Sequence, residues 1–359
     1  MNRLEEAARS GRLPQSMLLH GPEGIGKQRL ALWLSGLLLC ERLSGCGECG
    51  SCRMAQRLEH PDLHWYFPIE RPSKRPSSPA KLREALERAR LEEVQRRREE
   101  PLQAAETDGP RGIYLELVQK MRERATSRPA LGERTVFIVG EAETMVPQAS
   151  SPAAANAFLK LLEEPPRDTF FILTSPRPGA LLPTVRSRVL AIRVAPLKEE
   201  EVETFLRDEA GWPDEEAGRL ARISHGSIGR AIRLRAADGS GTHERADALI
   251  AAALASRRER LQFLVTLPTA RARAEFAHML EAVEERLRDM TCLALDHPEG
   301  TFDADGARRL IGDRRLPADT LTRVADHIEE ARVAARGNVN PQAIASVLLM
   351  ELAGAFDGQ

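Results

Sequence analysis

Residues 16–28 read Ser-Met-Leu-Leu-His-Gly-Pro-Glu-Gly-Ile-Gly-Lys-Gln, an apolar run that opens into a glycine-punctuated turn. Ser16–His20 reads as a short strand, residues 21–27 as a turn, and residues 28–39 as a helix. Gly21, Gly24, Gly26 and Lys27 give the spacing of a P-loop in its required place between strand and helix. In a working P-loop, backbone N–H groups cradle phosphates and the lysine reaches the β- and γ-phosphates. The next residue, a serine or threonine, then holds Mg²⁺ through its hydroxyl. Here that position is Gln28, whose amide is a bulkier and poorer ligand.

Outward from this turn the pattern stays α/β. Thr135–Val139 (TVFIV) and residues 170–174 (FFILT) are continuous apolar runs of the kind buried in parallel sheets. An alanine-rich helix over 153–164 lies between them, stopped by Pro165 and Pro166. Residues 189–194 close the series as a strand, and strands alternating with helices predict a parallel sheet with right-handed crossovers. A carboxylate pair normally ends the strand that faces a P-loop, one to hold Mg²⁺ and one to polarise water. Gly140 stands where the first belongs, while Glu141 is present. Two separate metal-ligand positions are lost, so the ATPase site reads as degenerate, with weak or no nucleotide binding.

Four of the five cysteines, Cys40, Cys46, Cys49 and Cys52, fall within thirteen residues. Converging thiolates make a closed tetrahedral site, which is structural rather than catalytic zinc. His60 and His64 follow but are not needed to complete four ligands, and Cys292 reads as a small core residue.

Residues 72–111 interrupt the α/β pattern with a charged helical stretch over 81–100. Glu84/Arg88, Glu92/Arg96 and Glu93/Arg97 are spaced for i,i+4 pairs, and the apolar stripe is thin. The segment therefore reads as an exposed insertion with a solvated face. After Pro196 the chain is all-helical. Phe276, Leu280, Val283, Leu287 and Met290 form one apolar face, and Leu321, Val324, Ile328 and Ala331 another.

At 359 residues the chain should form two or three domains, at roughly 100–200 residues each. With 52 Lys+Arg against 53 Asp+Glu, global charge does not steer it to nucleic acid. Its longest nearly apolar run, residues 31–40, is far short of the roughly 20 residues of a membrane span. No signal-peptide pattern follows Met1, so a cytoplasmic location without membrane contact is expected.

Further motifs carry a resemblance. They are the P-loop stretch from Gly11 to Lys27, the four cysteines, His60-Pro-Asp62, residues 155–166 (ANAFLKLLEEPP), Arg186-Ser-Arg188 and residues 226–231 (GSIGRA). Together they resemble the delta-prime branch of the bacterial DNA polymerase III clamp-loader family, over about residues 1–236. Beyond that, only Asn338-Val-Asn340-Pro341 before an apolar helix is similar to the family's collar. The resemblance implies an AAA+ core over 1–195 bearing the zinc module at 40–52, a helical lid over 196–242, and a helical collar over 243–359. It implies a subunit of the DNA-directed DNA polymerase (nucleotidyltransferase) holoenzyme with no ATPase activity alone. Such a subunit joins gamma/tau and delta in a pentameric ring that loads the sliding clamp onto primed DNA. The family's arginine finger maps to Arg188, although Val189 replaces the family's cysteine. Arg230 matches the second sensor and Ser175 approximately the first. Residues 72–111 have no counterpart in the family pattern.

Two other readings compete. An ATP-hydrolysing gamma/tau-like motor would need the hydroxyl at 28 and the aspartate at 140. A zinc-module nucleic-acid-binding protein would be expected to carry interleaved basic and aromatic residues.

Overall fold

The computed structural model describes residues 2–72, 76, 78–102, 111–145, 153–237, 241–266, 273–314, 316–336 and 339–357. These form two compact units. The first holds the described residues up to Trp212 together with His225–Arg230; the second holds Pro213–Ser224 and the chain from Ala231 onward.

The first unit opens with α1 (Asn2–Arg9), β1 (Ser16–His20), α2 (Lys27–Leu39) and α3 (Gly50–Gln56). It continues through β2 (Leu63–Tyr66), β3 (Ile69–Glu70), α4 (Pro79–Glu99), β4 (Arg111–Gly112) and α5 (Leu115–Ala125). Then follow β5 (Thr135–Val139), α6 (Ala153–Glu163), β6 (Thr169–Ser175), α7 (Pro183–Arg186), β7 (Leu190–Arg193) and α8 (Glu199–Asp208). Five strands pair in the order β2-β5-β6-β1-β7, all parallel, while β3 and β4 form a small antiparallel pair. The expected α/β parallel sheet is what forms. The core strand β5 is buried at every residue, and Phe137 stacks on Phe171 of β6.

The strand order places the P-loop. The chain starts in β1, runs out to the edge at β2, returns through β5 and β6, and crosses β1 to reach β7. Loops after β1, β5 and β6 therefore meet outside the carboxyl ends of the strands, where open α/β sheets bind ligands. Register brings the ends of β1 and β6 level, with His20 paired to Ser175, while β5 stops two residues short, Val139 pairing with Leu173, which pairs with Leu18.

Three expectations change. The edge strand β2 and helices α1, α3 and α5 join the predicted elements; LHWY is too short and mixed to show a period. Ahead of the closing strand, residues 184–186 add a helical turn, α7, with Pro183 in its first turn. The stretch 81–100 is α4, and it is a packed helix, not a solvated one. Ser78 caps it by accepting from the Lys81 N–H, Leu82 and Leu86 are buried, and the buried Arg90 donates to the Trp65 carbonyl. Arginine stems and guanidinium faces fill the stripe where apolar side chains are few.

In the second unit, α9 (Asp214–Ser224) precedes α10 (Ile228–Ala237), which begins in the first unit. Then come α11 (Thr242–Leu254), α12 (Arg257–Thr266), α13 (Arg273–Ala294), α14 (Ala304–Ile311), α15 (Ala318–Arg336) and α16 (Pro341–Asp357). Both predicted apolar faces are buried there, packed with Leu348, Leu349 and Leu352 of α16. Arg286 ties α13 down through Asp247 at 2.6 Å and Asp303 at 3.1 Å. Asn338 of the collar-like motif lies outside the described residues. Among the described residues, no helix is long and apolar enough to cross a membrane.

Candidate nucleotide site and metal centre

The P-loop backbone requires its glycines. Gly21 has φ of 153°, and a Cβ there would come within 2.2 Å of the Val194 carbonyl oxygen. Gly24 has φ of 74°, and a Cβ would meet the Ser227 hydroxyl at 2.5 Å. The start of α10 packs directly on this turn: Gly229 N–H donates to the Gly24 carbonyl at 2.9 Å, and Ser227 Oγ donates to the Glu23 carbonyl at 2.9 Å. Arg230 follows at the same place, its backbone N–H donating to Ser227 Oγ.

Lys27 is buried, and its Nζ donates to the Gly21 carbonyl at 2.8 Å and the Pro22 carbonyl at 2.6 Å. Burial lowers its pKa, opposed by the carboxylates of Glu23, Glu143 and Glu141. The lysine is thus folded back onto its own loop.

Across the sheet, Gly140 donates its N–H to the Tyr66 carbonyl at 2.7 Å. A Cβ on Gly140 would come within 3.0 Å of all three terminal atoms of the Gln28 side chain. Gln28 and Gly140, the two positions read as lost metal ligands, therefore face each other, and the glutamine amide fills the space between them. Glu141 adopts φ of 49°, uncommon for a residue with a side chain, and its N–H donates to Thr174 Oγ1 at 3.3 Å.

The four cysteines converge. Their sulfur atoms all lie within 4.8 Å of one another, with Cys40–Cys46 at 3.8 Å and Cys46–Cys52 at 3.9 Å. Four sulfurs about 2.3 Å from one tetrahedral zinc would stand about 3.8 Å apart, so the donor set fits zinc. Cys49 is the N-cap of α3, its sulfur accepting from the Cys52 N–H. Burial alone would push the Cys40 thiol up, but backbone N–H groups of Cys46, Ser44 and Arg42 outweigh it and hold it at about 5. A zinc bound here would supply a structural cross-link between the end of α2 and α3. His60 and His64 stay out of the cluster: His60 Nδ1 accepts from the Asp62 N–H, and His64 packs on Phe137. The Asp62 carboxylate accepts from the N–H groups of Ala130, Leu131 and Gly132, so this His-Pro-Asp motif pins a loop. Cys292 is half-buried on α13.

Arg188 lies just beyond α7. Its guanidinium pairs with Glu163 at 2.8 Å and donates to the Thr184 carbonyl at 2.9 Å. Both side chains remain substantially exposed, so this pair is open to exchange with another anion.

The sequence profile of a family described as DNA polymerase III, delta subunit matches residues 1–198. The chain belongs to that family. The delta-prime subunit of Escherichia coli is 28% identical over 235 residues, 65% of this chain and 58% of its own length. That of Pseudomonas aeruginosa is 33% identical over 232 residues, 63% of this chain and 56% of its own length. The chain thus spans a little over half the length of these curated relatives. Among solved structures, a gamma-subunit-related protein of DNA polymerase III from Thermotoga maritima covers 99% of this chain and 98% of its own. It is 17% identical, with a TM-score of 0.42.

Within this delta-family chain, two charged residues at the nucleotide site escape a reading of motifs. Glu143 is buried between Ser175 and Arg177, and burial raises its pKa, opposed by its hydrogen bond with Ser175. Its one legible signal is its place two residues after Glu141. Arg97 of α4 donates to Gln28 Oε1 at 3.1 Å. No local pattern could show that contact, because it joins residues 69 positions apart.

Proposed function

We propose that this chain is a non-hydrolysing clamp-loader subunit that acts in DNA replication in the cytoplasm. In this reading, residues 1–195 are the AAA+ core, 196–242 the lid, and 243–359 the collar through which it joins gamma/tau and delta subunits in a pentameric ring. The observation that carries the proposal is a P-loop fold kept intact while both metal-ligand positions are given up. Gln28 fills the gap over Gly140, and Lys27 is spent on its own loop's carbonyls. Membership of the delta family supports the assignment to the replication machinery.

A ring subunit that cannot turn over ATP contributes by completing a neighbour's site and by holding the ring's shape. Arg188 is the residue suited to the first task. Its planar, permanently charged fork can stabilise charge on a phosphoryl group in transfer. To act so, it would exchange Glu163 for a phosphate bound by the neighbouring motor subunit, and through that ring help place the sliding clamp on primed DNA.

Reconstitution tests this reading. The chain mixed with gamma/tau and delta subunits of the same organism should co-elute as one complex whose ATP turnover rises with clamp and primed DNA. The isolated chain should show no turnover above buffer, with or without Mg²⁺. Failure to co-elute, or steady turnover by the isolated chain, would overturn the proposal.

A further inference from the structure

The charged insertion carries none of the motifs behind the family resemblance, yet the C-terminal end of its helix α4 lies against Gln28 of α2. Arg97, in the last turn of α4, is mostly buried. Its guanidinium lies over the Phe67 ring at 3.7 Å from the centroid and near the Trp65 ring at 4.8 Å. Glu93 pairs with the Arg97 Nε at 2.7 Å, and Arg97 Nη1 donates to Gln28 Oε1. Further ties hold the same end of the insertion: Arg29 of α2 donates to the Pro101 carbonyl, and Arg98 pairs with Glu59 at 2.5 Å.

Gln28 stands where a working P-loop has the serine or threonine whose hydroxyl holds Mg²⁺, and its amide lies against Gly140, where the metal-binding aspartate would stand. A fixed guanidinium bonded to that amide puts a permanent positive charge beside the place a metal ion would take. Mg²⁺ demands near-ideal octahedral geometry and tolerates neither the bulk nor the charge.

We propose that the insertion is a built-in plug for the metal position of the P-loop, with Arg97 clamping Gln28 across Gly140. The inference rests on the reading of the ATPase site as degenerate and deepens it. Metal-bound nucleotide is excluded by a side chain delivered from outside the motif, in addition to the two lost ligands. Restoring those ligands is therefore not enough. An aspartate at 140 would pair with Arg97 and hold the plug more firmly.

The test measures binding of a fluorescent ATP analogue, in Mg²⁺ and in EDTA, to three forms of the full chain. These are the unsubstituted protein, Gln28→Thr/Gly140→Asp, and Gln28→Thr/Gly140→Asp/Arg97→Met. Methionine keeps a stem that can pack on Phe67, and circular dichroism with thermal melting checks the fold of each form. If the methionine form does not fold, Arg97→Gln in the same background is read by the same criterion. The double variant should gain no Mg²⁺-dependent binding, whereas the triple variant should bind about tenfold or more tighter with Mg²⁺ than with EDTA. A double variant that already matches the triple would overturn the plug, and so would a folded triple variant that gains nothing. Tight Mg²⁺-dependent binding with turnover by the unsubstituted chain is a separate result: it would overturn the degenerate-site reading itself.

Discussion

At Gln28 the chain trades a hydroxyl for an amide, and the exchange reaches well beyond one position. The amide fills the space over Gly140 and accepts from Arg97, which Glu93 holds in turn. Burial alone would raise the Glu93 carboxyl, but hydrogen bonds from Arg96 and Arg97 outweigh it and hold it at about 2. Because this folded value lies below the ordinary 4.5, the pairing stabilises the fold fully above about pH 4.5. That contribution is lost as the pH falls toward 2. Glu93→Gln should therefore lower the melting temperature at neutral pH, with the gap to the unsubstituted protein narrowing progressively below pH 4.5. A gap of constant size across that range would mean Glu93 does not hold its arginines in this way. The lost ligands themselves were legible, since a P-loop and the strand facing it define where Gln28 and Gly140 fall. Arg97 was not, because helical periodicity counts apolar residues and this contact is made by a charged one. Nor did spacing choose the partner of Arg96, which is Glu93 three residues back rather than Glu92.

Among elements, those read correctly share a strong local signal. β5 and β6 are continuous apolar runs, and β1 is bounded by the P-loop glycines; all three are central strands buried on both faces. β2 is an edge strand of four residues, and its identity depends on pairing with β5. α4 was legible as a helix but not as a packed one. Leu86 is fully buried within it, so Leu86→Ala should cost about 2–5 kcal/mol in urea unfolding, as a cavity in a core does. A solvated helix would lose no more than about 0.5 kcal/mol. The zinc module makes an independent prediction. Purified chain should hold about one zinc, as a closed four-thiolate site requires, and Cys49→Ser should release it. Hydrogen exchange should then rise in residues 40–57 while the central strands stay protected. Metal analysis finding no zinc in freshly reduced protein would contradict the site.

For the whole molecule, the α/β unit carries the chemistry-bearing motifs and the helical unit carries two long apolar faces packed into its own core. The proposed division of labour is that the first presents Arg188 outward and the second builds the ring. Its central claim is that this chain serves a neighbour's ATP site and has no working site of its own. ATP turnover by the reconstituted clamp loader, with clamp and primed DNA, tests this most directly when Arg188→Ala and Lys27→Ala of this chain are compared. Arg188→Ala should leave zinc content and assembly intact while turnover falls. The drop should stay below the roughly 10³–10⁵-fold seen where a single finger serves a single site, because in the proposed ring the other sites would keep working. Lys27→Ala should leave turnover nearly unchanged. Loss of turnover with Lys27→Ala, together with unsubstituted rates for Arg188→Ala, would contradict the account and make this chain a motor.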